Sequence, residues 1–101
     1  MSTQEIIKEA KARFNLNYQK IQLSDKYDGK LIFTDQGGLW KATAQLISLL
    51  NSFDNNDLVV LDTYNNPINV NRLSLLEKAK SVYNITMQEY HKEYESLKNK
   101  R

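Results

Sequence analysis

The chain has 101 residues with 14 basic and 12 acidic side chains, a formal net charge of +2, and no cysteine. That length corresponds to one domain able to bury roughly 65% of its unfolded surface without help from disulfides or a metal, and the missing thiols exclude a disulfide framework and a thiolate ligand set. The charge is too small for a nucleic-acid footprint by itself, and no apolar run approaches the roughly 20 residues that cross a bilayer.

Charge is distributed unevenly. Residues 1–41 carry seven basic and five acidic groups, residues 72–101 seven and four, and residues 42–71 no basic group and three acids, Asp54, Asp57 and Asp62. Mildly basic ends around a mildly acidic middle suit head-to-tail self-association, and solvated helix faces produce the same pattern. The eleven asparagines, with many Lys, Ile and Tyr, are amino acids of AT-rich codons.

In chain order, Ser2-Thr3-Gln4-Glu5 reads as a capping box. Ile6, Ile7, Ala10 and Phe14 then recur at helical spacing, so the first helix is expected over residues 3–15, with Asn15 and Asn17 as stops. Charges interrupt any apolar stretch here, which makes it an amphipathic helix start rather than a signal peptide. Ile21 and Leu23 alternate like a short strand, and Asp25-Lys26-Tyr27-Asp28-Gly29 is turn chemistry.

Leu31 to Thr34 and Leu39 to Ala42 read as two strands around Asp35-Gln36-Gly37-Gly38. The two glycines raise the question of a phosphate-binding loop, which needs glycine immediately before the first helical turn. Gly37 and Gly38 lie five or more residues ahead of Thr43, and neither a Gly-Lys-Ser/Thr nor a G-x-G-x-x-G spacing follows. They serve a hairpin instead. Its expected register sets Thr34 against Leu39, Phe33 against Trp40, Ile32 against Lys41 and Leu31 against Ala42, which gathers the large rings on one face. A Gly-Gly loop would set Trp40 against Asp35.

Thr43 caps a second helix through about Ser52, with a wide apolar stripe of Leu46, Ile47, Leu49, Leu50 and Phe53. Leu58-Val59-Val60-Leu61 is apolar on both alternating faces, the pattern of a strand covered on both sides. Tyr64-Asn65-Asn66-Pro67 makes a turn, Ile68 to Val70 a return strand, and Asn71 caps a last helix over about residues 72–100. The whole is a single α+β domain spanning 1–101, ordered helix, hairpin, helix, hairpin, long helix, with an antiparallel sheet packed by helices.

Chemistry-bearing clusters are sparse. His91, the single histidine, has only Glu95 one turn away. The pairs Asp25/Asp28 and Asp54/Asp57 lie in turn-like segments, and Asp54-Asn55-Asn56-Asp57 lacks the glycine and distal glutamate of a calcium loop. No catalytic, cofactor-binding or metal-ligating residue is assigned, and the expected protein is not an enzyme. Lys8, Lys11, Arg13 and Lys20, with Lys98, Lys100 and Arg101, keep nucleic-acid binding open, but Glu5 and Glu9 offset the first group and no aromatic-basic interleaving appears.

The last helix is the most informative element. At 29 residues it would run about 44 Å, against a radius of gyration near 13 Å for a compact domain of about 100 residues, so it is expected to project. Past Val82 its apolar residues narrow to one line, Tyr83, Met87, Tyr90, Tyr94 and Leu97, flanked by charge. These five are the candidate protein interface. Two coverings are open: the first helix folding back through Ile6, Ile7, Ala10 and Phe14, or another chain.

The stretch LVVLDTYNNPINVNRLSLLEKAKSVY, residues 58–83, resembles the C-terminal part of small proteins of tailed bacteriophages, tail-associated ones among them. The shared features are the strand ending in Asp62, the Asn65-Asn66-Pro67 turn, the Ile68/Val70 strand and the helix opening with Leu75-Leu76. The resemblance implies a phage origin and a structural or accessory role. With the ridge of the last helix as docking face, the expected protein is a non-enzymatic phage protein that binds other protein chains, as a virion or tail-associated component or assembly helper, with a homo-oligomer or a virion component as partner. It would be made in the host cytoplasm, with the virion as a destination. An inhibitor or regulator of a host protein is the second reading and a nucleic-acid accessory protein the third. No membrane association and no cofactor are expected.

Overall fold

The computed structural model describes the backbone of residues 3–99 and the side chains of residues 16–99. The order is α1 (Thr3–Lys30), β1 (Ile32–Asp35), β2 (Gly38–Lys41), α2 (Ala44–Asn51), β3 (Asp57–Leu61), β4 (Pro67–Asn71) and α3 (Arg72–Asn99). The α+β class and the alternation of helices with hairpins are as expected. Strands pair only within each hairpin, so there are two two-stranded antiparallel sheets, β1-β2 and β3-β4.

In the first hairpin Phe33 pairs with Trp40, Thr34 with Leu39 and Ile32 with Lys41, the expected register, and Asp35 with Gly38 closes a two-residue turn. Both turn residues have positive φ, 50° at Gln36 and 81° at Gly37. That is the twist a tight hairpin favours and the reason glycine stands second. Trp40 is only 1% exposed, its indole Nε1 donating to the Asp35 carbonyl at 2.8 Å.

The core forms two adjoining clusters. Trp40, Leu50, Val60, Val70, Leu75 and Leu76 make the larger; Leu31, Ala42 and Ala79 make the smaller, and Phe33, Leu46 and Ile47 pack against both. The caps are as expected. Thr43 Oγ1 accepts from the Leu46 amide at 3.2 Å, and Asn71 Oδ1 from the Ser74 amide at 3.0 Å. The Ser2 capping box lies outside the described residues.

The sequence reading of α1 requires correction. The helix does not stop at residue 15; it runs to Lys30, taking in Asn15, Asn17, the Ile21/Leu23 segment read as a strand and the Asp25–Gly29 segment read as a turn. The reason is tertiary. Leu23 and Tyr27, one helical turn apart, are buried, and Tyr27 stacks on Tyr90 of α3. Packing of this kind outweighs the local preference of Asp25, Asp28 and Gly29 for a turn.

A second correction concerns β3, which is not covered on both sides. Val60 is buried, while Val59 and Leu61 on the opposite face are 63% and 59% exposed. A two-stranded hairpin has one face on the core, and no element among the described residues covers the other.

Lys30 to Glu89 and Lys26 to Glu93 ion pairs show that α1 and α3 run antiparallel. Their residue numbers sum to about 119, which sets Asn99 opposite Lys20 and leaves the first half of α1 beyond the end of α3. The staggered pair makes the molecule long, 66 × 24 × 21 Å, with a radius of gyration of 19.3 Å.

Candidate protein-binding surface

The five α3 residues proposed as an interface are all half-buried. Tyr83 and Met87 pack on the Leu31/Ala42/Ala79 cluster. Tyr90 stacks on Tyr27 with ring centroids 5.0 Å apart and planes 12° from parallel. Lys20 places its ammonium 5.6 Å from the centre of the Tyr94 ring. Leu97 lines a shallow cleft with Gln19, Gln22, Leu23 and Lys26. The C-terminal part of the ridge, Tyr90, Tyr94 and Leu97, therefore lies along α1 of the same chain, and its first two residues lie on the core. The α1 residues that meet it are Lys20, Leu23, Lys26 and Tyr27 rather than Ile6, Ile7, Ala10 and Phe14, whose side chains lie outside the described residues. A spacing of three and four over Lys20, Leu23 and Tyr27 was the signal available in the sequence, masked by reading Ile21 and Leu23 as alternation.

The centre of this helix pair is polar. Tyr27 is buried and donates its hydroxyl hydrogen bond to Glu93 Oε1, which also accepts from Lys26 Nζ at 2.8 Å. The hydrogen bond from Lys26, then that from Tyr27, hold the Glu93 carboxyl below its usual range. In turn the bond to Glu93, burial and the charges of Glu93 and Glu89 push the Tyr27 phenol up to about 12. The arrangement is a fixed network: the phenol stays a donor and the carboxylate an acceptor across the neutral range.

Asp62 organises the second hairpin. Its Oδ1 accepts from the Tyr64 and Asn66 amides, each at 2.9 Å, and its Oδ2 from the Leu39 amide at 3.3 Å. The Asn66 bond first, then those of Leu39 and Tyr64, hold the carboxyl below the usual carboxylate range although burial pushes the other way. Asn65 takes a φ of 63°, the left-handed conformation asparagine tolerates. Thr63 donates its amide to the Leu39 carbonyl at 2.9 Å, which joins the two hairpins. At the other end Gln36 clamps the Asn71 backbone, its Oε1 accepting at 2.7 Å and its Nε2 donating at 3.3 Å.

Arg72 fills a further structural role. It is buried, and donates from Nε to the Asn55 carbonyl at 2.7 Å and from Nη1 to the Leu50 carbonyl at 3.0 Å. A cation at the carbonyl end of α2 is favourably placed.

The remaining sequence candidates stand apart. His91 and Glu95 form the expected i,i+4 pair at 3.6 Å on the outside of α3. Asp25 and Asp28 lie on α1, where Asp28 accepts from Lys41 at 2.7 Å. Asp54 and Asp57 are exposed before and at the start of β3. Among the described residues, no group of three His, Cys, Asp or Glu side chains is close enough to hold a metal, and no helix is long and apolar enough to cross a membrane.

What the fold leaves open is apolar surface. The outer face of the second hairpin carries Val59 and Leu61, with Tyr64 exposed at its tip and Leu73 at the start of α3. On α1, Tyr18 and Ile21 point away from α3 and are 54% and 60% exposed. Exposed apolar side chains gathered on one face make a candidate interaction surface. Comparison with protein-family models, with curated proteins and with solved structures finds no match to any of them.

Proposed function

We propose that this is a non-enzymatic protein that acts by binding other protein chains, as a virion or tail-associated component of a bacteriophage or as its assembly helper. The observation that carries the binding role is the exposed outer face of the second hairpin, where Val59 stands opposite Asn69 and Leu61 opposite Pro67, with no element over them among the described residues. The phage setting rests on the sequence resemblance of residues 58–83, the segment that builds this face. Since α1 lies along Tyr90, Tyr94 and Leu97, and Tyr83 and Met87 pack on the core, the hairpin face is the apolar surface among the described residues that supports this role.

The hairpin face is well suited to a partner because it is held stiff. Asp62 locks its turn, Gln36 its far end and Val60 and Val70 its buried side. A rigid apolar patch loses little conformational freedom on binding.

The test is whether the chain is a constituent of purified particles and whether Val59→Lys and Leu61→Lys, which lie on the open face, remove it from them. Stoichiometric presence in particles, lost in those variants while the isolated protein keeps its melting temperature, is the expected result. Absence from particles together with a one-to-one complex with a host protein would replace the structural role by inhibition of that protein. Retention in particles by both variants would overturn the hairpin face as the binding surface.

A further inference from the structure

We infer that β3 pairs edge to edge with β3 of a second copy of this chain, antiparallel about Val59, so that the two second hairpins form one four-stranded sheet. This contact lies beyond the function proposed above and does not depend on the phage setting.

The hydrogen-bonding phase of the second hairpin fixes which backbone groups face its edges. The Asp62 amide donates to the Asn66 carbonyl at 3.1 Å and the Arg72 amide to the Asn56 carbonyl at 2.8 Å. These bonds flank the register that pairs Leu58 with Val70 and Val60 with Ile68. Every second residue pair of an antiparallel ladder exchanges hydrogen bonds, so those two pairs do. The amides and carbonyls of Asp57, Val59 and Leu61 therefore point away from β4, and the outward groups of β4 belong to Pro67, Asn69 and Asn71.

The two edges differ. On β4, Pro67 has no amide to offer, and both backbone groups of Asn71 are taken by the Gln36 side chain, at 2.7 and 3.3 Å. Proline and a covering segment each close an edge to further pairing. β3 has neither. Its residues 58–61 are Leu, Val, Val and Leu, with no lysine or proline to blunt them, and its strand partner is β4 alone. Residues 52–56 before it and 63–66 after it are exposed. Among the described residues no group bonds the outward amides and carbonyls of β3.

The strand that fits this edge is β3 itself. Turned about a two-fold axis through Val59, perpendicular to the sheet, a second β3 sets Val59 against Val59 and Asp57 against Leu61, and all of their outward groups meet in hydrogen bonds. Leu58 then lies against Val60 on the core side. No charge faces a like charge. Parallel pairing would set Asp57 beside Asp57, which opposes it, and would turn the two open faces to opposite sides of the sheet. In the antiparallel pair Val59 and Leu61 of both copies share one face, which doubles the apolar surface each copy presents alone. Association ends at two copies, because the symmetry is closed and the strands left at the rim are the blunted β4 edges. An edge of five residues runs about 17 Å, at the small end for a specific interface, so the dimer dissociates on dilution.

The chain has no cysteine, so single cysteines on the open face report proximity without background. Residues opposite one another in such a pair have Cα atoms about 5.5 Å apart, within reach of a disulfide. In the full chain under mild oxidation, Val59→Cys is expected to cross-link to itself. Asp57→Cys and Leu61→Cys, each about 14 Å from its own copy along the strand, should link only when the two are mixed. Sedimentation equilibrium over a concentration series should show monomer and dimer in exchange. Val59→Lys sets lysine against lysine across the axis and should weaken the dimer about tenfold, whereas Leu61→Lys sets lysine against Asp57 and should not weaken it. Equal weakening by both variants overturns the inference, since it would mean that the apolar face and not the strand edge joins the copies. A chain that sediments as a monomer at every concentration overturns it too, as does self-linking of Asp57→Cys or Leu61→Cys, which would put the axis elsewhere. A monomer that still joins particles through Val59 and Leu61 would end this pairing while leaving the function proposed above intact; a dimer with these cross-links that no particle contains would support the pairing and remove that function.

Discussion

Replacing Gly38 by alanine tests the seat of Trp40 and with it the join between the two hairpins. Gly38 is the last paired residue of the first hairpin, opposite Asp35. A Cβ built there would lie 2.7 Å from Trp40 Cζ2 and 2.8 Å from both Trp40 Cε2 and Ile68 Cδ1. The isoleucine methyl can rotate away. The indole cannot, because Nε1 is held by the Asp35 carbonyl at 2.8 Å and the ring is closed in by core. Forcing a methyl into such a space costs about 1–3 kcal/mol, and each kcal/mol lowers the melting temperature of a domain this size by about 4–8 °C. The neighbouring glycine is the control. Gly37 has nothing within 4 Å of a built Cβ but a φ of +81°, so Gly37→Ala loses about 1–2 kcal/mol to backbone strain and Gly37→Asn recovers most of it. Gly38→Asn, by contrast, should be at least as damaging as Gly38→Ala. Thermal melts by circular dichroism give the stabilities, and emission from the single tryptophan reports the indole's surroundings. A Gly38→Ala protein that melts with the wild type and keeps its emission maximum would show that the ring does not close against this strand.

Other expectations concern titration and the core. Asp62 has a native pKa below its ordinary value, so its stabilising contribution is complete above the ordinary carboxylate range, begins to fall as pH drops below about 4 and is gone below the lowered native value; Asp62→Asn should flatten the acid limb of urea midpoint against pH. Tyr27, raised to about 12, contributes fully below about 10 and loses that contribution as pH climbs through its native value. Spectrophotometric titration of the six tyrosines should show one late component that disappears in Tyr27→Phe and moves down in Glu93→Gln. Leu50→Ala, at a fully buried position, should cost about 2–5 kcal/mol by denaturant unfolding, whereas Thr43→Ala, which removes the α2 cap, should cost about 1 kcal/mol.

Where a residue's neighbours are close in sequence, its structure could be read in advance. The Phe33–Trp40 register follows from matching large rings across a short turn, and Thr43 and Asn71 announce their helices because a cap acts on amides two or three residues ahead. The α1 boundary could not be read that way. Asp25 and Gly29 favour a break in isolation, and what keeps that segment helical is Tyr90 and Glu93, some sixty residues later in the chain. Leu58 to Leu61 show the same limit: four apolar residues in a row read alike whether the second face is covered or bare.

The sequence by itself therefore determined the hairpins, their pairing, the two capped helices and the narrow tyrosine line of α3, since these follow from side-chain periodicity and from hydrogen bonds that span a few residues. Only the tertiary structure decided how far α1 extends, that it lies along that line, and which apolar residues stay in water. Those outcomes depend on which surfaces meet across the fold, and burial at such distances leaves no periodic trace in the segment it stabilises.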